Sequence, residues 1–588
     1  MQFQFENQKN HLAGLNEQQR EAVLCKANIV YVNAGPGTGK THMLTSKLVD
    51  IIQSSTAPEK IVALSYTNTA ARQIGERFDR KMADLGITKE YSLFNGTIHS
   101  FCYRMMKRYS QEFSDIILDD EELVELGEDI LEKFPEYKLA DIQDCLRSDT
   151  KAIPALYWEV QKIKHSLHVI SIQDILTEFI KRLDEEEPFR KWIAGEVTVM
   201  AVDEAQDLTE LHYAILDRMI YANPDLRVFL VGDPRQNIFE FNGGSYKNLD
   251  GFLHRHEDHV TKSLTITYRC GQAIADYVNR FQFNDCDNLQ LQSRCADAGH
   301  IVIKNAFNEE EEAREVLKAV LSTGNINQCA VLCNNLKYLE VLIKQLLERA
   351  IPYKVFGGRR ILKKHIRFVN HIFRIIDSEN AYSIRKIAQY AGIDISEEGK
   401  KKKSRFFASE LGQIIQSIRD EVDHVPFQQI AERVISEIML DPSDTPELVA
   451  DYMNLLSLCS QYDSASAYLM AFATDKETFM PFYKADFIDC PVPTDKGFLT
   501  ISTIHSAKGL EWDNVFIMGL CEGNFPNPFF CKSLPPDEQE EFYNAEWKKM
   551  YVASTRAKEN LCLSYASSIK RKGYSFHKEP SRFISINS

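Results

Sequence analysis

The chain has 588 residues, carries 69 Lys and Arg against 84 Asp and Glu, and is 44% apolar. That length suggests about four domains and that composition allows large cores, while the formal net charge of −15 argues against an indiscriminate polyanion coat without excluding a locally basic groove. No apolar run approaches the roughly 20 residues that span a bilayer, and Met1–Asn10 is too polar for a signal peptide, so no membrane contact and a cytoplasmic setting are expected. The thirteen cysteines are scattered. Their nearest pair, Cys329 and Cys333, falls inside an apolar run that reads as a buried strand, a poor place for zinc or a disulfide, and a reduced compartment fits.

In chain order, the first informative segment is Ile29 to Val32, an apolar run that reads as a buried strand. It leads into Ala34-Gly35-Pro36-Gly37-Thr38-Gly39-Lys40-Thr41 and then a helical pattern from Thr41 to Ile52. Strand, Gly-rich turn and helix make a phosphate cradle. The glycines let backbone N–H groups converge on phosphate oxygens, and the helix start adds its positive dipole end. Lys40 can reach the β and γ phosphates, and the Thr41 hydroxyl can hold Mg²⁺. A second buried run, Thr198 to Val202, ends in Asp203-Glu204-Ala205-Gln206-Asp207. Asp203 is placed to hold Mg²⁺ through water, and Glu204 to polarise the attacking water as general base. Together these segments indicate an Mg²⁺-dependent nucleoside triphosphatase.

The rest of the chain reads as two nucleotide-type α/β cores, each interrupted. The first occupies residues 1–105 and 191–262, with a helical, acidic insertion at 106–190. The second occupies 263–377 and 485–588, with strands at His300–Ile303, Cys329–Cys333, Phe498–Thr503, Val515–Leu520 and Leu561–Tyr565. A mostly helical insertion, 378–484, interrupts it and contains Lys400-Lys401-Lys402-Lys403-Ser404-Arg405. Such a run is either a solvated loop or a phosphate contact, and a duplex contact for this insertion stays open.

Several further segments, in their order, resemble the UvrD/Rep/PcrA family of superfamily 1 DNA helicases. Leu15 to Arg20 is similar to the family's adenine-reading segment, and the resemblance implies that Gln19 hydrogen-bonds the adenine of ATP. Ala63 to Ala71 and Gly96 to Phe101 resemble strand-contact motifs, which implies DNA contacts for Tyr66, Thr67, Asn68 and His99. Gly232 to Phe239 resembles the motif that connects ATP to DNA: Gln236 would sense the γ-phosphate, and Phe239 and Phe241 would stack on bases. Family members often have Tyr, Trp and Arg where this chain has Phe239, Phe241 and Asn242. In Thr267-Tyr268-Arg269, Tyr268 would stack on adenine and Arg269 reach the γ-phosphate. In Ile501 to Glu511, Thr503 and His505 would face the DNA backbone and Glu511 the ribose. In Val552 to Lys558, Arg556 would act as a second arginine finger.

The implied fold is α/β: two RecA-like parallel-sheet motor domains, each carrying a mainly helical inserted subdomain. The implied function is an ATP- and Mg²⁺-dependent 3′→5′ helicase or translocase acting on single-stranded DNA and 3′-tailed duplex. Pro580 to Ile584 resembles the segment that closes the second core, and only Ser585 to Ser588 follow. The partner-binding tail of longer members is therefore expected to be missing. Both insertions look shorter than in UvrD, PcrA or Rep, and no nuclease motif is appended. This compact form resembles accessory helicases of bacterial defence or repair operons, such as the Gabija helicase subunit, in which a separate nuclease subunit accompanies the motor. A single-strand translocase, or a regulatory ATPase that senses DNA ends for such a nuclease, is the alternative expectation.

Overall fold

A computed structural model of the chain describes residues 11–55, 58–65, 68–110, 116–147, 153–240, 243–357, 360–395, 401–441, 443–475, 478–485, 490–495, 497–527, 532, 534–571 and 574–584. Strands β1 (Ile29–Ala34), β2 (Glu59–Leu64), β3 (Tyr91–Gly96), β4 (Val199–Val202), β5 (Arg227–Gly232) and β6 (Val260–Leu264) form one sheet in the order β3-β2-β4-β5-β1-β6. Every pairing is parallel. The central strands β1 and β4 are buried throughout and read as near-continuous apolar runs, as a sheet covered on both faces requires. One face packs under α1 (Glu17–Leu24) and α2 (Lys40–Ser54), with Leu44, Leu48 and Val49 against Val30, Val32 and Val231.

The second sheet has the order β7-β12-β11-β8-β10-β9 and is again wholly parallel. Its strands are β7 (His300–Ala306), β8 (Cys329–Cys333), β9 (Tyr353–Phe356), β10 (Leu499–Thr503), β11 (Trp512–Ile517) and β12 (Ala557–Ala566). Cys329 and Cys333 are buried within β8. The α/β architecture with two parallel sheets is thus the one expected. β2, β3, β6 and β9 are not among the strands expected from the sequence. Three of these are edge strands, and β3 and β6 are only partly buried, so their polar alternation carries little of the apolar signal that marked the centre.

Between β3 and β4 the described chain is helical apart from the paired two-residue strands Ile116–Ile117 and Val169–Ile170. It includes α3 (Asp120–Leu131), started by Asp119, whose side chain accepts from Glu121 N and Glu122 N. Between β9 and β10 lies a second helical stretch. It includes α4 (Lys364–Ser378) and α5 (Ala381–Ala391), and its base is closed by antiparallel pairing of Arg360–Leu362 with Tyr483–Ala485. Lys400 lies outside the described residues; Lys403, from the same run, pairs with Glu379 at 3.3 Å.

The two helical stretches meet. The α3 face carrying Glu121, Glu122, Glu125 and Asp129 opposes Arg367 and Arg374 of α4 and Arg385 and Lys386 of α5. Arg374 forks onto Glu122, with Nη2 to Oε2 at 2.9 Å, and donates to the Ile117 carbonyl at 3.1 Å. Tyr382 of α5 is buried within the apolar core of the first stretch. The last helix to matter is α6 (Pro536–Ser554), which leads directly to Thr555 and Arg556 ahead of β12.

Candidate nucleotide site and inter-sheet cleft

Parallel pairing brings the C-terminal ends of β1, β4 and β5 to one edge of the first sheet, where ligands of open α/β sheets bind. β1 runs into the phosphate loop, β4 into Asp203-Glu204, and β5 into Asp233. The loop closes on itself: Thr38 Oγ1 donates to the Gly35 carbonyl at 2.8 Å, and Lys40 Nζ to the Ala34 carbonyl at 3.2 Å. Gly37 and Gly39 have φ of 70° and 78°, the left-handed region open to glycine. A Cβ on Gly37 would also lie 2.4 Å from Cβ of Arg269. The loop is therefore pressed against the segment that introduces the second sheet, and Tyr268 N donates to the Gly37 carbonyl at 2.8 Å. Pro36 is buried, and Thr41, in the first turn of α2, is half-buried.

The residues expected to read the adenine, Gln19 and Tyr268, meet across the same seam. Gln19 is 2% exposed; its Nε2 donates to the Thr38 carbonyl at 2.8 Å, while its Oε1 accepts from Asn16 N. Asn16 Nδ2 donates to the Tyr268 hydroxyl at 2.9 Å, leaving the Tyr268 side chain open to solvent. Gln19 thus braces the phosphate loop from beneath. Glu511, expected at the ribose, accepts from Arg269 Nε at 2.6 Å and lies 3.3 Å from Lys558 Nζ.

The carboxylates beyond β4 are crowded. Burial and the charge of Glu204 push Asp203 up to about 7. Burial alone would also raise Glu204, but Lys40, Lys508, its hydrogen bond from Gln206 and Arg556 outweigh it and hold Glu204 at about 2. Glu204 has φ of 56°, a left-handed conformation for a non-glycine residue, the kind of backbone strain that gathers at functional sites. Its Oε2 accepts from Gln206 Nε2 at 2.6 Å. Two neighbouring carboxylates that cannot both ionise comfortably, next to a Thr hydroxyl and a phosphate loop, suit a hard divalent cation with oxygen ligands.

The second sheet supplies the opposite wall. Arg556 is 1% exposed; its Nη2 donates to Gln236 Oε1 at 3.1 Å, its Nη1 to the Leu510 carbonyl and its Nε to the Val552 carbonyl. Gln236 in turn donates to Asp233 Oδ2 at 2.9 Å. Arg269 reaches the Thr555 carbonyl at 3.3 Å, so both arginines stand beside the loop. A further cation, Lys508, donates to Asp207 Oδ2 at 2.5 Å and to the Gln236 carbonyl at 2.8 Å. Lys508 is not among the site residues expected from the sequence, although its place just after His505 is a signal. Asp207 was passed over in the same way.

Of the expected DNA-contact residues, Phe239 is half-buried, with its ring 6.3 Å from that of His505 and 5.0 Å from Lys508 Nζ. Burial, then Lys549 and Lys508, lower His505 to about 4. His99 packs edge-on against His212 at 5.1 Å, and burial lowers it to about 4. The Thr503 hydroxyl is used locally, donating to Ser506 Oγ at 3.0 Å. Asn68 opens the helix Asn68–Asp84; Tyr66, Thr67 and Phe241 lie outside the described residues.

Comparison with known proteins agrees with this architecture. The UvrD/REP helicase N-terminal domain matches residues 15–154 and 136–257, and the UvrD-like helicase C-terminal domain matches 263–431 and 492–568. The chain belongs to the UvrD/REP helicase family. It is 24% identical to the ATP-dependent DNA helicase PcrA of Staphylococcus aureus, over 98% of this chain and 86% of that protein. It is also 24% identical to DNA helicase II of Haemophilus influenzae, over 97% and 87%. No helix among the described residues is long and apolar enough to cross a membrane.

Proposed function

We propose that the protein is an ATP-dependent motor that steps 3′→5′ along single-stranded DNA and opens 3′-tailed duplex. One observation carries this reading: Arg556, from the wall built by the second sheet, hydrogen-bonds Gln236 on the first, beside Glu204 and Lys40. Arg556 and Gln236 would then grip a nucleotide phosphate from the two walls, and its loss would free them to part. Mg²⁺ with ATP would supply the phosphoanhydride bond and the charge that draws both walls together. Lys40 and the backbone N–H groups of Gly35 and of residues 37–41 would hold the phosphates, and Thr41 and Asp203 the metal. Glu204, ionised throughout the neutral range, would orient the attacking water. Arg269 and Arg556 would balance charge on the transferring phosphoryl group. Phe239 and Phe241 would supply sequence-tolerant base stacking, and Tyr66, Thr67, Asn68, His99, Thr503 and His505 the remaining DNA contacts.

A cytoplasmic role in DNA repair or antiviral defence fits this activity. The second reading is a single-strand translocase, or an end-sensing ATPase serving a separate nuclease, with little unwinding of its own. The observation in its favour is that the second insertion is fastened to the first by buried ion pairs. Strand displacement on 3′-tailed and 5′-tailed duplexes, with ATPase measured with and without single strand, decides between them. Opening of the 3′-tailed substrate is expected. Preference for the 5′ tail overturns the assigned polarity, and DNA-stimulated hydrolysis without strand release selects the second reading.

A further inference from the structure

One fully buried ammonium stands outside the nucleotide site. Lys548 lies in α6 with its side chain 0% exposed, and its Nζ meets Asp285 Oδ2 at 2.5 Å and Glu240 Oε1 at 3.2 Å. The two carboxylates come from opposite sides. Asp285 follows the helix Gln272–Val278 that packs on α6. Glu240 directly follows Phe239, on the loop that leaves β5 of the first sheet. Burying an ammonium with no counter-charge costs several kcal/mol, but Asp285 already neutralises this one from its own side. The Glu240 carboxylate is 37% exposed and could rest in water. The second ion pair therefore ties the loop to the helix rather than meeting the lysine's own need.

The same loop and helix are joined at two more points. The Arg235 guanidinium, held by Asp233 at 2.8 Å and by the Leu289 carbonyl at 2.6 Å, lies 4.9 Å from the centre of the Tyr551 ring of α6. Just beyond the end of α6, Arg556 donates to Gln236. Thus the loop 233–240 carries the aromatic at the proposed strand path at one end and the partner of the arginine finger in its middle. α6 grips both ends of that span.

We propose that Lys548 is a positioning residue that couples DNA at Phe239 to the arginine finger: by holding Glu240 it makes the 233–240 loop and α6 move as one piece, so that a base seated on Phe239 sets Arg556 over the phosphates. The inference rests on the motor reading given above.

The test uses the full chain, with ATP turnover measured alone and with an oligothymidine strand, and strand affinity and melting temperature recorded alongside. Glu240→Gln leaves Lys548 paired with Asp285 and should melt normally. It should keep basal turnover, KM for ATP and strand affinity, and lose about tenfold in DNA-stimulated kcat, the scale of a typical coupling between sites. Lys548→Met should show the same selective loss, and Lys548→Arg should restore stimulation. Full stimulation in folded Glu240→Gln and Lys548→Met overturns the inference, as does an equal fall of basal and stimulated rates, which marks a structural prop. If the unsubstituted protein is not stimulated by the strand, the motor reading itself falls, a result distinct from either.

Discussion

At the joint between the two insertions, Glu121, Glu122, Glu125 and Asp129 of α3 face Arg367, Arg374, Arg385 and Lys386, and each carboxylate has a basic partner. At the mouth between the sheets, Asp203, Glu204 and Asp207 crowd together instead, with Lys40, Lys508 and Arg556 as shared and incomplete compensation. Both regions take charge out of water. In the first the charges are matched one against another, so burial specifies which helix faces which. In the second the acids are driven apart in proton affinity and Arg556 leans on neutral partners such as Gln236, so burial leaves a demand that a nucleotide and its cation can meet. Matched buried charge holds a shape; unmatched buried charge waits for a ligand, at a cost in stability that functional sites commonly bear.

The comparison is broken most severely at Arg374. Arg374→Met strands the Glu122 carboxylate, and a loss of about 3–5 kcal/mol in unfolding free energy is expected. Most of it should return in Arg374→Met with Glu122→Met, while ATP turnover per folded molecule stays normal. Urea titration of the single and double variants measures this; an equal loss in the double variant would show that the pairing itself was not what mattered.

Glu204→Gln is the counterpart in the cleft. Turnover should fall on the order of a hundredfold or more, the usual scale for losing a positioned base, with ATP binding kept and melting temperature unchanged or raised because the crowding around Asp203 is relieved. Hydrolysis at the normal rate would remove Glu204 from its assigned part.

Phe239→Ala sharpens the contrast on the DNA side. If the ring stacks on bases, single-strand affinity should weaken by about 1–3 kcal/mol with basal ATPase preserved. A joint loss of stability and basal activity would make Phe239 an element of packing between the sheets.

The smallest effect concerns acid. His371 is fully buried, and burial with Arg374, Lys386 and Arg367 pushes it well below its ordinary value. The unfolded chain therefore takes up this proton first as pH falls through about 6.5, and stability should drop by about 1.4 kcal/mol per pH unit from this group alone. His371→Asn should flatten that slope between pH 6.5 and 5, as followed by chemical denaturation. An unchanged slope would place the acid sensitivity elsewhere.

Much of the candidate nucleotide site was legible residue by residue because its parts are local. The loop 34–41 announces itself by three alternating glycines, Gly35, Gly37 and Gly39, that leave its backbone amides open, and Asp203 and Glu204 sit where an apolar run ends. The central strands β1, β4 and β8 declared themselves by their apolar runs, Ile29–Val32, Thr198–Val202 and Cys329–Cys333, since both their faces are covered. The edge strands β3, β6 and β9 did not, since strand pairing rather than their own pattern holds them.

The elements at the joint and in the cleft divide along the same line. Local backbone chemistry and apolar runs are written in adjacent residues, so the glycine-rich loop, the carboxylates that end β4 and the α/β class follow from the chain alone. Partnerships between distant residues are not: Glu122 with Arg374, Asp207 with Lys508, Glu240 with Lys548 and Gln236 with Arg556. Each of these charged or polar side chains would read as solvated in isolation. Only the packing of two sheets and two insertions removes the water, and the low dielectric that results makes their pairing decisive.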